Sequence, residues 1–289
     1  MFGVFLPQLR MSFATIEAKA RAAEELGYHS VWLMDHLAAP AAPRHDTLEG
    51  WTLAAALAAR TSSVRLGHLV TANPFRHPAL LAKMAATVDV VSDGRLELGL
   101  GWGSVEEELV TYGFDAAPPR VRAEQLGEAI EVIELMFTGE PFDYSGRHFH
   151  LKAAVGRPRP LAGRVPVHIG GAGRQLTMPL VARHADWWNC PAYAVDRLDE
   201  LRPLAGEARV SVQHPVGLAS STAARVEVEQ LTTRRFGAWG GIVSGTPDEV
   251  IAALARERAV GVELFILQFH DFATPETLSL FAREVMAAL

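Results

Sequence analysis

Along the first hundred positions, short apolar runs alternate with stretches of helical periodicity. Phe2-Gly3-Val4-Phe5-Leu6 is an apolar run closed by Pro7-Gln8, too short for a helix, and reads as a strand. From Thr15 to Leu26 the apolar positions Ile16, Ala20, Ala23 and Leu26 recur at helical spacing, with Gly27 placed as a C-terminal cap. Ser30 to Met34 is a second strand, ending at Asp35-His36. The unit then repeats, with helices over Trp51 to Arg60 and His77 to Val91 and strands over Val64 to Val70 and Arg95 to Leu100. Strands separated by helices predict a parallel sheet, because parallel neighbours need a crossover between them.

Beyond the fourth strand the rhythm is interrupted. Val121 to Phe137 is a long helix, Gly139 to Leu151 reads as a hairpin turning at Tyr144 to Arg147, and Ala153 to Arg164 is loop. Val165 to Ile169, Ala185 to Cys190, Arg209 to Leu218 and Val262 to Gln268 supply strands five to eight. Thr246-Pro247-Asp248-Glu249 has the cap, first-turn proline and acid of a capping box, and Thr274-Pro275 opens a further helix. Eight strands with intervening helices predict an α/β fold, a single (β/α)8 TIM barrel over residues 1–289 with an insertion after strand 4. The chain's 289 residues, 49% of them hydrophobic, are enough for one barrel of ordinary size.

In such a barrel the loops after the strands share one face, and here they carry the unusual residues. Glycines at 99, 101 and 103 leave the exit of strand four bare, so a flat ligand or a phosphate can approach the main chain, with Trp102 as a wall. Gly170-Gly171-Ala172-Gly173-Arg174 is a second glycine-rich exit. Its amides precede a helix, and Arg174 and Thr177 add charge and a hydroxyl, a combination that suits a phosphate. His36 lies just past strand two, and an imidazole, with its unperturbed pKa near ~6.5, can pass a proton at neutral pH; Asp35 stands beside it to orient the ring. His68 and His77 flank strand three, and His168 lies within strand five, where a hydrogen-bonded core histidine is expected. Glu106, Glu107 and Glu108 read as the first turn of a helix, where negative charge is favourable. Trp51, Trp187, Trp188 and Phe75 are further candidates for apolar walls.

Composition removes several classes of function. A net charge of -6 with mixed signs leaves no basic stripe for nucleic acid and no polybasic segment for a membrane, so small molecules are the expected partners. The single cysteine, Cys190, cannot form an internal disulfide or a cysteine-rich metal site, which suits a cytoplasmic protein. No apolar run approaches the ~18 residues of a membrane span, and no export segment precedes Phe2. The histidines of Arg44-His45-Asp46 and Arg147-His148-Phe149-His150 lack a third ligand at metal-binding spacing, and no Gly-x-Ser-x-Gly elbow marks a serine nucleophile.

Several of these segments, read together, resemble a known family. Ala22 to His36, Gly67 to Pro78, Gly94 to Glu108, Ile169 to Thr177 with Ala185 to Asn189, and the closing Gly245 to Val250 and Gly261-Val262 are similar to the bacterial luciferase-like monooxygenase superfamily. Within it they resemble the branch of oxidoreductases that use the deazaflavin coenzyme F420. The resemblance implies a flavin-like ring at the C-terminal ends of the strands and its phosphate near the exit of strand five. It also implies a distorted backbone, often a non-prolyl cis peptide, at Leu69, Val70 and Thr71. The cofactor-contacting set it suggests is Asp35, Leu69, Val70, Thr71, Gly101, Trp102, Gly103, Gly170, Gly171, Ala172, Gly173, Arg174 and Thr177, with His36 as the catalytic proton carrier. Where the branch's sugar-phosphate dehydrogenases carry a glutamate after the strand-four glycines, this chain has Ser104. The activity implied is F420-dependent hydride transfer to or from a small organic substrate, by a homodimer. The alternatives are an FMN-dependent monooxygenase using reduced flavin and O2, or a flavin- or deazaflavin-binding protein without turnover. Substrate identity is expected to depend on the loop Ala38 to Thr47 and on the insertion Thr111 to Arg164.

Overall fold

A run such as Phe2–Phe5, buried at all four positions, has no polar face to show water and must be covered on both sides. The computed structural model, which describes residues 1–40 and 42–289, covers it by closing eight such strands into a parallel barrel. The strands are β1 (Phe2–Phe5), β2 (Ser30–Leu33), β3 (Arg65–His68), β4 (Leu96–Gly101), β5 (Val167–Gly170), β6 (Trp187–Pro191), β7 (Arg209–Leu218) and β8 (Val262–Phe269). Neighbours pair in chain order, and β8 closes onto β1 in the register Phe2↔Phe265 to Val4↔Leu267. The helices are α1 (Phe13–Glu25), α2 (Gly50–Ala58), α3 (Pro78–Val91), α4 (Glu106–Thr111), α5 (Pro119–Thr138), α6 (Met178–His184), α7 (Leu198–Leu201), α8 (Arg225–Phe236), α9 (Pro247–Ala259) and α10 (Pro275–Leu280). No helix is long and apolar enough to cross a membrane, among the described residues.

The barrel with an excursion after the fourth strand is the architecture expected from the sequence, with boundaries moved by one or two residues. The excursion consists of α4, α5 and an antiparallel hairpin of Phe142–Ser145 with His150–Ala154. Its second strand runs on to Ala154, three residues past the expected end, because the turn falls at Gly146 to Phe149. There Glu128 of α5 accepts from the backbone N–H groups of Arg147, His148 and Phe149 at 2.7, 2.9 and 3.1 Å. A three-residue strand, Val243–Gly245, was not expected; it pairs in parallel with the end of β7. β3 breaks off at His68 and resumes as Thr71–Ala72 against Leu100 and Gly101. Between them the Leu69–Val70 peptide is cis, as the resemblance implied for this stretch. Ala41, in the loop expected to tune substrate choice, lies outside the described residues.

Alternation along the strands divides the core in two. Phe5, Trp32, Trp187, Leu264 and Ile266 form a cluster inside the barrel, whereas Val4, Val31, Leu33, Phe265 and Leu267 face the helices. Trp32 takes so much of the interior that its neighbours must be small: a Cβ on Gly67 would sit 2.7 Å from Trp32 Cζ3. The indole meets His168 edge-on at 4.8 Å between centroids, and His168 stacks on Trp187 at 5.5 Å. His168 Nε2 bonds Glu97 Oε2 at 2.8 Å, and Glu97 also pairs with Arg65. Burial raises the pKa of Glu97, but the His168 bond and the charges of His168 and Arg65 outweigh it and hold the carboxyl below its ordinary value. This group plugs the N-terminal half of the barrel. The opposite end stays open.

One buried cation ties helices to strands outside the barrel. Arg95, 8% exposed, donates to the carbonyls of Ala58, Thr61, Val64 and Ser92 at 2.9, 2.9, 2.6 and 2.5 Å and to Thr61 Oγ1 at 2.9 Å. It thereby satisfies the carboxyl end of α2 and joins it to the turn between α3 and β4.

Candidate active site

At the C-terminal ends of the strands a cavity of about 860 Å³ opens, within the range of small-molecule and cofactor sites. Its wall takes residues from the exits of β2 to β6. Asp35 and His36 follow β2, Leu69, Val70, Ala72 and Phe75 follow β3, and Gly101 to Val105 follow β4. Glu108 and Leu109 come from α4, Gly170 to Thr177 from the β5 exit, and Pro191 and Tyr193 from β6.

At the β4 exit, glycines let the neighbouring β3 segment pack directly against the strand. A Cβ on Gly99 would collide with the carbonyl oxygen of His68, and one on Gly101 would lie 2.5 Å from Val70 Cγ2. Gly171 has φ +124°, a backbone geometry that L-residues avoid, and its α-carbon packs against Thr177. Thr177 is 3% exposed and supports both Gly171 and Gly173 from below, so the β5 exit is a bare loop on a firm base.

His36 is held at the rim of this cavity by Glu108. The Glu108 Oε2 atom lies 2.7 Å from His36 Nδ1, while Oε1 accepts from the backbone N–H groups of Leu37 at 2.7 Å and Ala38 at 3.4 Å. A carboxylate has no hydrogen to give, so Nδ1 carries the proton and Nε2 is left as the reactive nitrogen of the neutral ring. The Glu108 side chain is 8% exposed and the His36 ring 28%, so the pair is partly dry while the ring still reaches the cavity.

This geometry corrects two expectations. Asp35 does not orient His36; it is taken up by Arg76, whose guanidinium meets its two oxygens at 2.6 and 2.8 Å, and by the N–H of Ala72 at 2.9 Å. Its role is to tie the β2 exit to the β3 exit. Glu106, Glu107 and Glu108 do form the first turn of α4, but Glu108 is more than a helix-end charge, because it reaches back across the cavity mouth to His36. Ser104 is exposed and lines the cavity two residues past Trp102.

Of the other expected cofactor contacts, Leu69, Val70, Gly101, Trp102, Gly103, Gly170, Gly171, Ala172, Gly173, Arg174 and Thr177 all lie in the cavity wall. Thr71 does not. Its side chain is fully buried behind the wall, with Oγ1 lacking a partner, because Thr71 pairs as a strand residue with Leu100. Arg174 lines the cavity, but its guanidinium is engaged by Glu200, which also binds Arg197 at 3.0 Å. Of the aromatic candidates, Phe75 and Trp102 reach the cavity, whereas Trp51, Trp187 and Trp188 are core residues at 2, 5 and 0% exposure.

Sequence reasoning passed over Arg122. It is 2% exposed at the start of α5, with its Cζ 5.3 Å from the centroid of the Trp102 ring and Nη2 3.5 Å from Glu106. Its Nε and Nη1 have no hydrogen-bond partner. A cation under an indole holds that ring in place, so Arg122 clamps the β4 exit loop from behind. Tyr193, 68% exposed at the cavity edge, was also missed, although the rule that loops after strands share one face was enough to find it.

His68 is enclosed completely, stacked on Trp51 at 4.5 Å with neither ring nitrogen hydrogen-bonded, and burial holds its pKa below the ordinary value. It does not line the cavity, whereas His168, bonded to Glu97, is the hydrogen-bonded core histidine expected. Among the described residues no cluster of three or more His, Cys, Asp or Glu is placed to hold a metal ion.

Comparison with known proteins places this geometry among relatives. A family model described as luciferase-like monooxygenase matches residues 1–236. An uncharacterized protein of Mycobacterium tuberculosis is 32% identical over 203 residues, covering 64% of this chain and 70% of the relative. An F420-dependent glucose-6-phosphate dehydrogenase of Microbacterium testaceum is 36% identical over 156 residues, 54% of this chain and 46% of that protein, so the match spans about half of the relative's length. Among solved structures, an F420-dependent secondary alcohol dehydrogenase in complex with an F420-acetone adduct superposes with a TM-score of 0.80 at 18% identity, covering 100% of this chain and 99% of the other. A riboflavin lyase with modified FMN and riboflavin superposes with a TM-score of 0.84 at 14% identity, covering 99% and 90%.

Proposed function

Because the chain belongs to the luciferase-like monooxygenase family, we propose that it is an oxidoreductase that binds coenzyme F420 in the cavity at the strand ends. There it moves a hydride to or from a small organic substrate. The observation that carries this reading is the bare wall of the β4 and β5 exits beside a histidine fixed in one tautomer. A flat ring can approach main chain that carries no Cβ, and Gly101, Gly103, Gly170, Gly171 and Gly173 all line this cavity. The F420 named in one of these relatives and in one of the superposed structures favours the deazaflavin over FMN.

When bound, the deazaflavin supplies the two-electron hydride chemistry. The protein's own part is positional and protic. The amides of Gly170 to Gly173 and the net positive charge left where Arg174 and Arg197 share Glu200 would hold the cofactor's phosphate. Leu69 and Val70 would back the ring, and Trp102 and Phe75 would exclude water from one side of the cavity. When an alcohol carbon gives up its hydride, His36 Nε2 takes the hydroxyl proton; in the reverse direction it returns that proton to the carbonyl oxygen. Glu108 keeps Nδ1 as the donor, so that Nε2 is the nitrogen that gains and loses the proton.

The test is turnover with oxidised F420 and a panel of small alcohols, followed as loss of the deazaflavin absorbance near ~420 nm. Substrate-dependent bleaching that falls at least ~100-fold in His36→Ala, with cofactor affinity kept, is the expected result for a lost acid/base group. Bleaching that survives His36→Ala unchanged removes the histidine from the chemistry. F420 that binds but never bleaches makes the protein a carrier. We also propose a homodimer, on family resemblance; solution scattering that returns the monomer mass of 31.4 kDa would remove it.

A further inference from the structure

Charge accounting around the cavity narrows the substrate. Three permanently charged groups line it, and each already has a partner. Asp35 is neutralised by Arg76 through two contacts at 2.6 and 2.8 Å. Glu108 is occupied by His36 and two backbone N–H groups. Arg174 is held by Glu200, which Arg197 shares, so among the described residues positive charge is left over beside the β5 exit, where one anionic group of a cofactor would be held. The remaining nearby cation, Arg122, is 2% exposed, lies 3.5 Å from Glu106 and, although its Nε and Nη1 are unpartnered, does not line the cavity.

Phe75, Trp102 and Leu109 give the lining a large apolar share, and the uncharged Ser104 is among its polar members. Resting on the reading of this cavity as the cofactor and substrate site, we infer that the substrate is an uncharged, largely apolar alcohol or carbonyl compound, and that phosphorylated or carboxylated substrates are excluded. A second anion entering beside two carboxylates would lose its hydration and gain no free cation, which is the expensive way to bury a charge. An apolar body gains from the same wall, and its one polar group can be satisfied by His36 Nε2.

The experiment compares ligands of similar size on one protein preparation. Loading with F420 is read first, from cofactor fluorescence, so that failure to bind F420 overturns the cofactor reading alone; the panel is then repeated without F420 but with saturating inorganic phosphate to occupy the β5 exit, where the same charge discrimination is expected. Binding of cyclohexanol, cyclohexanone, hexanoate, glucose and glucose 6-phosphate is followed by quenching of tryptophan emission, to which Trp102 in the wall contributes. The expected result is that the two neutral cyclic compounds bind at least ~100-fold more tightly than either anion, with uncharged glucose in between, as an apolar site without a cation discriminates. Ser104→Lys, which adds a cation at an exposed position of the wall, is expected to narrow the gap for glucose 6-phosphate at least ~10-fold. Equal or tighter binding of an anion by the unaltered protein, or no binding of the neutral compounds up to about 10 mM, overturns the inference.

Discussion

Replacing Glu108 with alanine should separate what holds His36 from what His36 does. The carboxylate accepts two short bonds of 2.7 Å, from His36 Nδ1 and Leu37 N–H, and a longer one of 3.4 Å from Ala38 N–H. A hydrogen bond to a charged acceptor is worth about 1.5–3 kcal/mol, and the 28% exposure of the histidine ring calls for a discount on that partner. We therefore expect Glu108→Ala to lose about 2–3 kcal/mol. Spread over an unfolding entropy of about 2 cal/mol/K per residue, that lowers Tm by roughly 3–5 °C. Glu108→Gln should not rescue it fully, because an amide offers one acceptor oxygen where two donors now meet two oxygens. Scanning calorimetry reads the stability change, and F420 turnover reads the catalytic one. With Nδ1 no longer fixed, the ring can rotate or change tautomer, and kcat should fall at least ~10-fold while cofactor affinity changes by less than ~3-fold. Unchanged Tm and unchanged kcat in Glu108→Ala would refute the claim that this carboxylate sets the histidine.

Three further outcomes follow from buried groups elsewhere. Arg122→Met should release the Trp102 ring it lies under, seen as a red shift of tryptophan emission and a raised KM with kcat less affected; unaltered emission would mean that the cation does not hold the indole. Arg95→Met leaves the carbonyls of Ala58, Thr61, Val64 and Ser92 without their donor and should cost about 3–5 kcal/mol in urea unfolding, against less than ~1 kcal/mol for a surface arginine. His68, buried and held neutral with its pKa below 6.5, takes up no proton in the native state as pH falls, whereas the unfolded chain does. Its contribution is complete above pH 6.5 and is lost as pH falls below that value, at up to ~1.4 kcal/mol per pH unit, so His68→Phe should flatten the dependence of Tm on pH between about 6.5 and 5.

Most of the barrel could be read along the chain because each strand is a short apolar run bounded by glycine, proline or a helix cap. The glycine pairs at the β4 and β5 exits marked the cavity for the same reason: they stand where a strand should still have side chains. What was not legible depends on partners distant in sequence. Glu108 had a sufficient local explanation as a first-turn acid, and its bond to His36 joins residues 72 positions apart. Asp35 stands next to His36 in the chain, which suggested a pair, but Arg76 offers both oxygens a guanidinium and takes it. Charge is visible in a sequence and depth is not, so nothing along the chain singled out Arg95 or Arg122, which are 8% and 2% exposed. Val243–Gly245 is too short for any periodicity to reveal.

The account depends on the cavity at the strand ends being made for a deazaflavin. Parallel titration of the purified protein with F420 and with FMN, following tryptophan quenching under identical buffer, tests this directly. The account predicts saturable quenching by F420 at micromolar concentration or below, weaker binding of FMN by at least ~10-fold, and loss of F420 binding when Gly101→Val fills the β4 exit of a protein that still unfolds cooperatively. Tight FMN binding with weak F420 binding, or F420 affinity untouched by Gly101→Val, would contradict it.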